Sequence, residues 1–220
     1  MGQEIDLMRR YPKPKSRMTE RPNITDADRE ISREFAFDYF DGERRHGYGG
    51  FNYHPRFWTE TVAVFAEHYG LTDSSSILDI GCAKGFMLKD FGLLLPGAQI
   101  AGIDVSEYAI GMSDPSVSEY VQVGNATDLP FEDRTFDLVI SINTIHNLDR
   151  PGCLDALREI ERVSRGNAFI MVDGWKNPEE QRLLEEWVLT ARTLLSSSEW
   201  IRVMSQSNYT GDYEFWNPLK

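Results

Sequence analysis

One stretch decides the fold, and it reads Ile77-Leu78-Asp79-Ile80-Gly81-Cys82-Ala83-Lys84-Gly85-Phe86. Its apolar residues form a predicted β-strand that runs into two glycines four positions apart, after which a helix begins. Glycine permits a sharp turn and lets a ligand approach the backbone closely. The first turn of a helix also carries amide groups without partners inside the helix. In open α/β sheets, ligands bind at such turns, outside the carboxyl ends of the strands.

The second predicted strand ends in Gly102-Ile103-Asp104. A carboxylate at the end of this strand is placed to accept hydrogen bonds from both hydroxyls of a ribose. The alternative is that Asp104 caps the short helix predicted over Ser106–Met112. Because Asp104 accompanies the glycine turn, we interpret the pair as a nucleoside site.

The remaining sequence alternates strands with helices. Predicted strands are Ser76–Ile80, Gln99–Ile103, Glu119–Val123, Phe136–Ser141, Asn167–Asp173 and a closing hairpin of Trp200–Ser205 and Asp212–Trp216. Strands separated by helices imply right-handed crossovers and a parallel sheet covered on both faces. The predicted fold is therefore an α/β three-layer sandwich. Its seven-stranded sheet is mostly parallel, its last strand is antiparallel, and an N-terminal helical cap is added to it.

Three segments divide the chain. Residues 1–24 are polar, contain three prolines and are predicted to be a flexible arm. Residues 25–55 are predicted to form an N-terminal helix followed by a loop rich in glycine and aromatic residues, which suits a substrate lid. Residues 56–220 carry the sheet domain.

Composition excludes several classes of function. The chain is 41% hydrophobic, and its 35 acidic residues against 23 basic ones give a net charge of −12. This charge argues against nucleic acid and anionic membranes as partners. Its two cysteines provide neither a disulfide framework nor a four-ligand zinc site. No segment approaches the roughly 18 apolar residues of a spanning helix. We expect a cytoplasmic protein that is a monomer or a homodimer.

The glycine spacing indicates which nucleoside is bound. A dinucleotide fingerprint is Gly-x-Gly-x-x-Gly, whereas this chain has Gly81-x-x-x-Gly85, which resembles motif I of the class I S-adenosylmethionine (SAM)-dependent methyltransferases. Three later segments also resemble that family: 124–131 after the third strand, 135–141 as the fourth strand, and 157–163 in the following helix. The resemblance covers about residues 56 to 205 and implies SAM as cofactor, S-adenosylhomocysteine (SAH) as product, and no metal.

The resemblance also implies roles for individual residues. Gly81, Cys82 and Gly85 would line the methionine part of SAM, and Ser141 and Asn143 would close that end. Asp104 would hold the ribose, Val105 would touch the adenine, and Asn125 and Ala126 would address its edge. Asp79 would orient the loop, or the amino group of SAM through water. The family usually has aspartate where this chain has Asn125, and asparagine keeps an acceptor oxygen for the adenine amino group.

His146 follows the fourth strand, beside the expected position of the methyl group. Histidine can accept a proton near neutral pH, so His146 is the candidate catalytic base. The alternative is that it packs beneath the adenosine or caps the next helix. An acceptor oxygen that is already ionised needs no base, whereas a hydroxyl can need one.

Candidate acceptor contacts lie in the lid and after the fifth strand. Tyr48 and Tyr53 offer phenol hydroxyls, and Arg45 and Arg56 offer guanidinium groups to an anionic acceptor. Trp175 is expected to face the site, with core packing as its alternative. The lid residues can equally belong to a surface loop that packs on the sheet.

The net charge is unevenly distributed. Residues 1–60 hold 11 acidic and 11 basic residues, and residues 61–220 hold 24 acidic and 12 basic ones. The acidity therefore belongs to the domain that would bind a cationic cofactor. The predicted function is methyl transfer from SAM to an oxygen, or less favourably a nitrogen, of a small and possibly anionic metabolite. A nicotinamide-dependent oxidoreductase and a non-catalytic SAM-fold partner subunit are the alternatives.

Overall fold

Along the sequence, stretches in which the apolar residues have the spacing of a strand alternate with stretches in which they have the spacing of a helix. The computed structural model describes residues 2–12, 23–49 and 51–217. Its helices are α1 (Asp26–Arg33), α2 (Phe37–Phe40), α3 (Pro55–Tyr69), α4 (Phe86–Leu94), α5 (Glu107–Gly111), α6 (Arg150–Val163), α7 (Pro178–Trp187) and α8 (Ser197–Gln206), with a 3-10 turn at Ile145–Asn147. Its strands are β1 (Ser76–Ile80), β2 (Gln99–Asp104), β3 (Val121–Val123), β4 (Leu138–Ile142), β5 (Ala168–Trp175), β6 (Leu195–Ser196) and β7 (Asp212–Trp216).

The described strands form one seven-stranded sheet in the order β3-β2-β1-β4-β5, with β6 and β7 both paired to β5. The predicted α/β sandwich is confirmed. The antiparallel last strand is wrong, because β7 pairs with β5 in parallel register, from Phe169 opposite Asp212 to Asp173 opposite Trp216.

The reason is that the predicted first strand of the hairpin, Trp200–Ser205, lies inside helix α8. Trp200, Val203 and Met204 are buried at helical spacing. A capping box between Ser196 and Glu199 begins this helix. A helical crossover returns the chain to the same end of the sheet, so the next strand runs parallel to β5.

Both faces of the sheet are buried, as the apolar strands predict. Along β1, Ile77 packs with the cluster that includes Phe65 of α3 and Phe91 of α4. Leu78 packs on the opposite face, with a cluster that includes Ile160 of α6 and Trp200 of α8. The carboxyl ends of the strands are thereby held at one rigid edge. Among the described helices, none combines the length and the apolar character that crossing a bilayer requires.

Part of the predicted flexible arm is packed. The Ile5 amide donates to the Tyr213 carbonyl over 2.9 Å, and the Tyr213 amide donates to the Gln3 carbonyl over 3.1 Å. Leu7 is fully buried, and Met8 is nearly so. This beginning of the arm therefore adds to the free side of β7. Residues 13–22 of the predicted arm lie outside the described residues.

Candidate functional site

A cavity of about 630 Å³ lies at the carboxyl ends of the central strands, beneath the N-terminal cap. That volume is within the range of small-molecule sites. The sheet side is lined by residues that follow β1, β2, β3 and β4, and by the ends of β5 and β7: Gly81, Ala83, Asp104, Val105, Gly124, Asn125, Ala126, Asn143, Thr144, His146, Asn147, Asp173 and Trp216. The cap side includes Arg33, Phe35, Tyr39, Tyr48 and Phe51.

The turn after β1 requires glycine at Gly81. Its φ is +82°, in the left-handed region. A Cβ at this position would lie 1.9 Å from Thr144 Oγ1. The absence of a side chain therefore lets the loop after β4 close against the loop after β1.

Asp104 ties the first two loops together. Its Oδ2 accepts a hydrogen bond from the Ala83 amide over 2.8 Å, and its Oδ1 accepts one from the Ser106 amide over 2.9 Å. Ser106, not Asp104, caps α5 with its side chain. Each carboxylate oxygen keeps a lone pair, so Asp104 can also accept hydrogen bonds from a ligand in the cavity.

Asp79 lies on β1, opposite Gly102 of β2, and is not among the lining residues. Burial, with a contribution from the negative charge of Asp104, raises the pKa of Asp79 to about 7. Burial also raises the pKa of Asp104, against the hydrogen bonds from backbone amides that lower it. The carboxylate of Asp104, which lines the cavity, favours a cationic ligand there. This chemistry fits SAM, which carries a positive sulfonium.

The other predicted cofactor residues divide into two groups. Val105, Asn125, Ala126 and Asn143 line the cavity. Asn143 has a left-handed φ of +54°, and its amide donates to the Met171 carbonyl over 2.8 Å.

The remaining three do not line the cavity. Cys82 packs with Leu88 and Val117 in an apolar cluster, and Gly85 begins α4 where a Cβ would lie 2.7 Å from Val117 Cγ2. The Ser141 hydroxyl donates to the Ile80 carbonyl over 3.1 Å, joining β4 to β1. These residues shape the turn and the sheet. They do not line the cavity, where contacts with the methionine part of SAM are expected.

His146 is buried at the cavity wall. Its Nδ1 accepts a hydrogen bond from the Asp173 amide over 2.9 Å, so the neutral ring carries its hydrogen on Nε2. Nε2 lies 3.7 Å from Asp173 Oδ2. Burial lowers the pKa of His146, and the Asp173 carboxylate opposes this shift. The arrangement makes His146 a neutral hydrogen-bond donor whose basic nitrogen is already engaged.

Of the predicted acceptor residues, Tyr48 lines the cavity, and its hydroxyl accepts from the Leu189 amide over 2.7 Å. The other four lie elsewhere. Arg45 pairs with Asp28 at 2.8 Å. Tyr53 donates to Asp90 over 2.7 Å. Arg56 lies 4.7 Å from the ring centre of Phe57, and Trp175 packs against a cluster that includes Trp187.

The cap is bonded directly to the loops of the glycine end. Lys84 Nζ lies 2.7 Å from Asp41 Oδ2, and the Tyr108 hydroxyl donates to the same oxygen over 2.6 Å. The Ser106 hydroxyl donates to the Phe35 carbonyl. The segment that contributes Phe35 and Tyr39 to the cavity is therefore anchored beside Asp104.

Sequence reasoning missed several lining residues: Arg33, Asn147, Arg192, Trp58, Trp187 and Trp216. Arg33 lies four positions after Arg29 on α1, and this spacing was the available signal of a common helix face. Arg192 lies between α7 and β6, where the sequence offers no comparable pattern.

Comparison with known proteins agrees with this geometry. Residues 78–172 match the model of the family described as "Methyltransferase domain". A demethylmenaquinone methyltransferase of Symbiobacterium thermophilum is 28% identical over 144 residues, which cover 54% of this chain and 56% of that protein. A tRNA (carboxymethyluridine(34)-5-O)-methyltransferase of Arabidopsis thaliana is 31% identical over 150 residues, which cover 67% of this chain and 35% of that protein. The chain thus spans between about a third and just over half of these relatives.

Among solved structures, the YcgJ protein of Bacillus subtilis has the same fold, with a TM-score of 0.55, 21% identity, and coverage of 66% of both chains. The glycine spacing and the family match favour methyl transfer over the nicotinamide-dependent alternative. Residues 78–172 are therefore similar to a methyltransferase domain, and the described sheet has the fold that the YcgJ protein shows.

Proposed function

We propose that this chain transfers the methyl group of SAM to an oxygen of a small acceptor bound in the same cavity. One observation carries the proposal: Asp104 at the end of β2 and Trp216 at the end of β7, on opposite sides of the central strands, line a single space. A donor and an acceptor held at the two ends would meet inside it. Alignment of this kind can contribute about 7–11 kcal/mol to a displacement reaction.

The chain's own residues would bind and orient the two molecules. SAM, when bound, supplies an electrophilic methyl group on a positively charged sulfur. Asp104 would accept hydrogen bonds from the ribose hydroxyls with the lone pairs that Ala83 and Ser106 leave unused. Asn125 and Val105 would contact the adenine. Asp79 and Asp104 would supply negative charge opposite the cationic cofactor.

Oxygen is favoured as the acceptor atom because His146 is supported as a donor rather than as a base. Its Nδ1 is engaged by the Asp173 amide, and burial lowers its pKa. An ionised oxygen requires no proton removal, so such an acceptor suits this cavity. We propose that His146 orients the acceptor through Nε2–H.

A small molecule is favoured over RNA. One of the two relatives is named for a quinone precursor and the other for a tRNA, so their names alone do not decide. The net charge of −12 opposes a polyanion. The cap, bonded to Lys84 and Ser106, also covers the cavity.

Calorimetry with SAM, SAH and NAD tests the cofactor assignment. We expect SAM and SAH to bind and NAD not to bind. Asp104→Ala should weaken SAH binding by more than about tenfold, because hydrogen bonds to a charged group are lost. Asp128→Ala is the matched control, since Asp128 is an exposed carboxylate outside the lining. Absence of SAM binding would overturn the assignment.

A screen with tritium-labelled SAM then tests catalysis. Oxygen acceptors of low molecular mass are expected to become labelled. If SAM binds normally and no oxygen acceptor is labelled, the non-catalytic partner subunit becomes the better description. Labelling confined to nitrogen acceptors would correct the acceptor atom alone.

A further inference from the structure

Two arginine side chains line the cavity on its cap side, Arg33 of α1 and Arg192 in the segment between α7 and β6. Their local contacts bring them to the same wall. Arg33 Nη2 donates to the carbonyl of Ala191 over 3.4 Å. The Arg192 amide donates to the His146 carbonyl over 3.0 Å. The backbone of Arg192 is therefore held at His146, and the Arg33 side chain is held at the residue that precedes Arg192.

Arg33 has an unused donor in this wall. Its Nη1 pairs with Glu30 at 2.8 Å, and its Nη2 reaches Ala191. Its Nε is buried and has no hydrogen-bond partner among the described residues. A buried N–H group without a partner is costly. An acceptor atom supplied by a ligand would satisfy it.

Arg192 supplies a second, more accessible charge. Its side chain is exposed, and within residues 2–12, 23–49 and 51–217 no carboxylate lies within ion-pair distance of it. Guanidinium groups present several N–H donors in a fixed plane, which matches the geometry of carboxylate and phosphoryl oxygens. Two such groups at one wall form a receptor for an oxoanion.

The neighbouring surface is aromatic. Tyr48 and Trp187 have ring centres 5.9 Å apart, and Trp187 and Trp216 have ring centres 6.0 Å apart. All three line the cavity. Such a surface suits a flat apolar body. Two acidic residues, Asp173 of β5 and Glu214 of β7, also line the cavity, and Asp173 Oδ2 lies 3.7 Å from His146 Nε2.

We propose that Arg33 and Arg192 bind an oxoanion of the methyl acceptor, a carboxylate or a phosphoryl group, and that the aromatic residues contact its flat apolar body. The inference rests on the proposed function, because it concerns the acceptor end of the same cavity. It names the substrate class: an aromatic or similarly flat molecule with an anionic group. In this proposal, the role of the oxoanion is to bind the methyl acceptor to the two arginines.

Fluorescence titration tests this inference without turnover, since Trp58, Trp187 and Trp216 line the cavity. The probes are benzoate and phenyl phosphate, with benzamide as the neutral comparison, each titrated in the presence and in the absence of SAH. We expect both anions, or one of them, to bind at least tenfold more tightly than benzamide. The preferred anion distinguishes a carboxylate acceptor from a phosphoryl acceptor.

Matched variants separate the receptor from general charge effects. Arg33→Gln and Arg192→Gln should each weaken anion binding about tenfold and leave benzamide and SAH affinity unchanged. Arg29→Gln is the control for Arg33, because Arg29 also bonds the α7–β6 segment, at Val188, but does not line the cavity. Arg182→Gln, at an exposed position of α7, is the control for Arg192.

The outcomes distinguish the two proposals. Equal affinity for benzoate, phenyl phosphate and benzamide would overturn the oxoanion receptor, as would retained anion binding in both arginine variants. Loss of anion binding in Arg29→Gln to the same extent would also overturn it. Failure of SAH to bind would overturn the proposed function, while the titration without SAH would still decide whether the cavity prefers anions.

Discussion

Replacing Asp79 by asparagine should make the protein more stable and a poorer binder of SAM. Burial and the charge of Asp104 raise the pKa of Asp79 from 3.8 to about 7. One pKa unit corresponds to about 1.36 kcal/mol, so keeping this carboxylate ionised in the folded protein costs up to about 4 kcal/mol above pH 7. Asparagine has nearly the same shape and carries no charge, so it removes this cost.

The direction in which the stability changes with pH follows from proton binding to Asp79. Between about pH 4 and pH 7, the folded protein holds a proton on Asp79 that the unfolded chain has lost, so this group makes the wild type less stable as the pH rises. The stability difference between Asp79→Asn and the wild type should therefore be small near pH 4 and largest above pH 7. The same linkage predicts that SAM binding to the wild type weakens below pH 7, where the carboxylate becomes protonated.

Urea denaturation at pH 5, 6, 7 and 8 without ligand, paired with calorimetry of SAM binding, measures both effects. Asp128→Asn is the control, because it removes an exposed carboxylate from the same domain. If Asp79→Asn is no more stable than the wild type at pH 8, with an unchanged denaturant slope, the carboxylate is not an uncompensated buried charge. The electrostatic argument for a cationic cofactor would then fail.

Two further predictions concern the turn and the histidine. Gly81→Ala should abolish SAH binding in calorimetry and destabilise the protein in urea by clearly more than Gly70→Ala. Both glycines have positive φ, but only at Gly81 would the new Cβ meet Thr144; equal costs would contradict the role of close approach. In nitrogen-15 NMR at pH 6, His146 should be neutral with its hydrogen on Nε2, because burial lowers its pKa and Nδ1 accepts from Asp173; a doubly protonated ring would refute this assignment.

Local sequence predicts the positions of Gly81 and Asp104, which both line the cavity. The turn at Gly81 and the position of Asp104 follow from strand–turn–helix units of about 30 residues, where the chain's own connectivity brings the residues together. Because β1 and β2 are neighbouring parallel strands, the two loops meet at one edge. The prediction of a strand over Trp200–Ser205 is wrong for a different reason. The apolar residues at positions 200, 203 and 204 have helical spacing, and the capping box of Ser196 and Glu199 marks the beginning of that helix.

The lining residues Arg33 and Arg192 are hard to predict from the sequence because their positions depend on contacts between distant parts of the chain. The Arg33 side chain is held at the cavity wall by a hydrogen bond to the carbonyl of Ala191, which lies 158 residues away in sequence. Arg45 was predicted to contact the acceptor because of its charge, but it is bonded to Asp28 on α1. No local pattern in one sequence distinguishes an arginine that pairs with a neighbouring helix from one that faces a cavity.

The packing of the first residues against β7 also covers one edge of the sheet. A strand with one unpaired side is a template for edge-to-edge aggregation. β7 carries Tyr213 and Phe215, and the backbone of Gln3 and Ile5 occupies its otherwise open side at Tyr213. Leu7 and Met8 then anchor this short segment in the apolar layer. The N-terminal residues therefore act as a protective edge for the sheet, and a chain shortened past Met8 would present β7 to its neighbours.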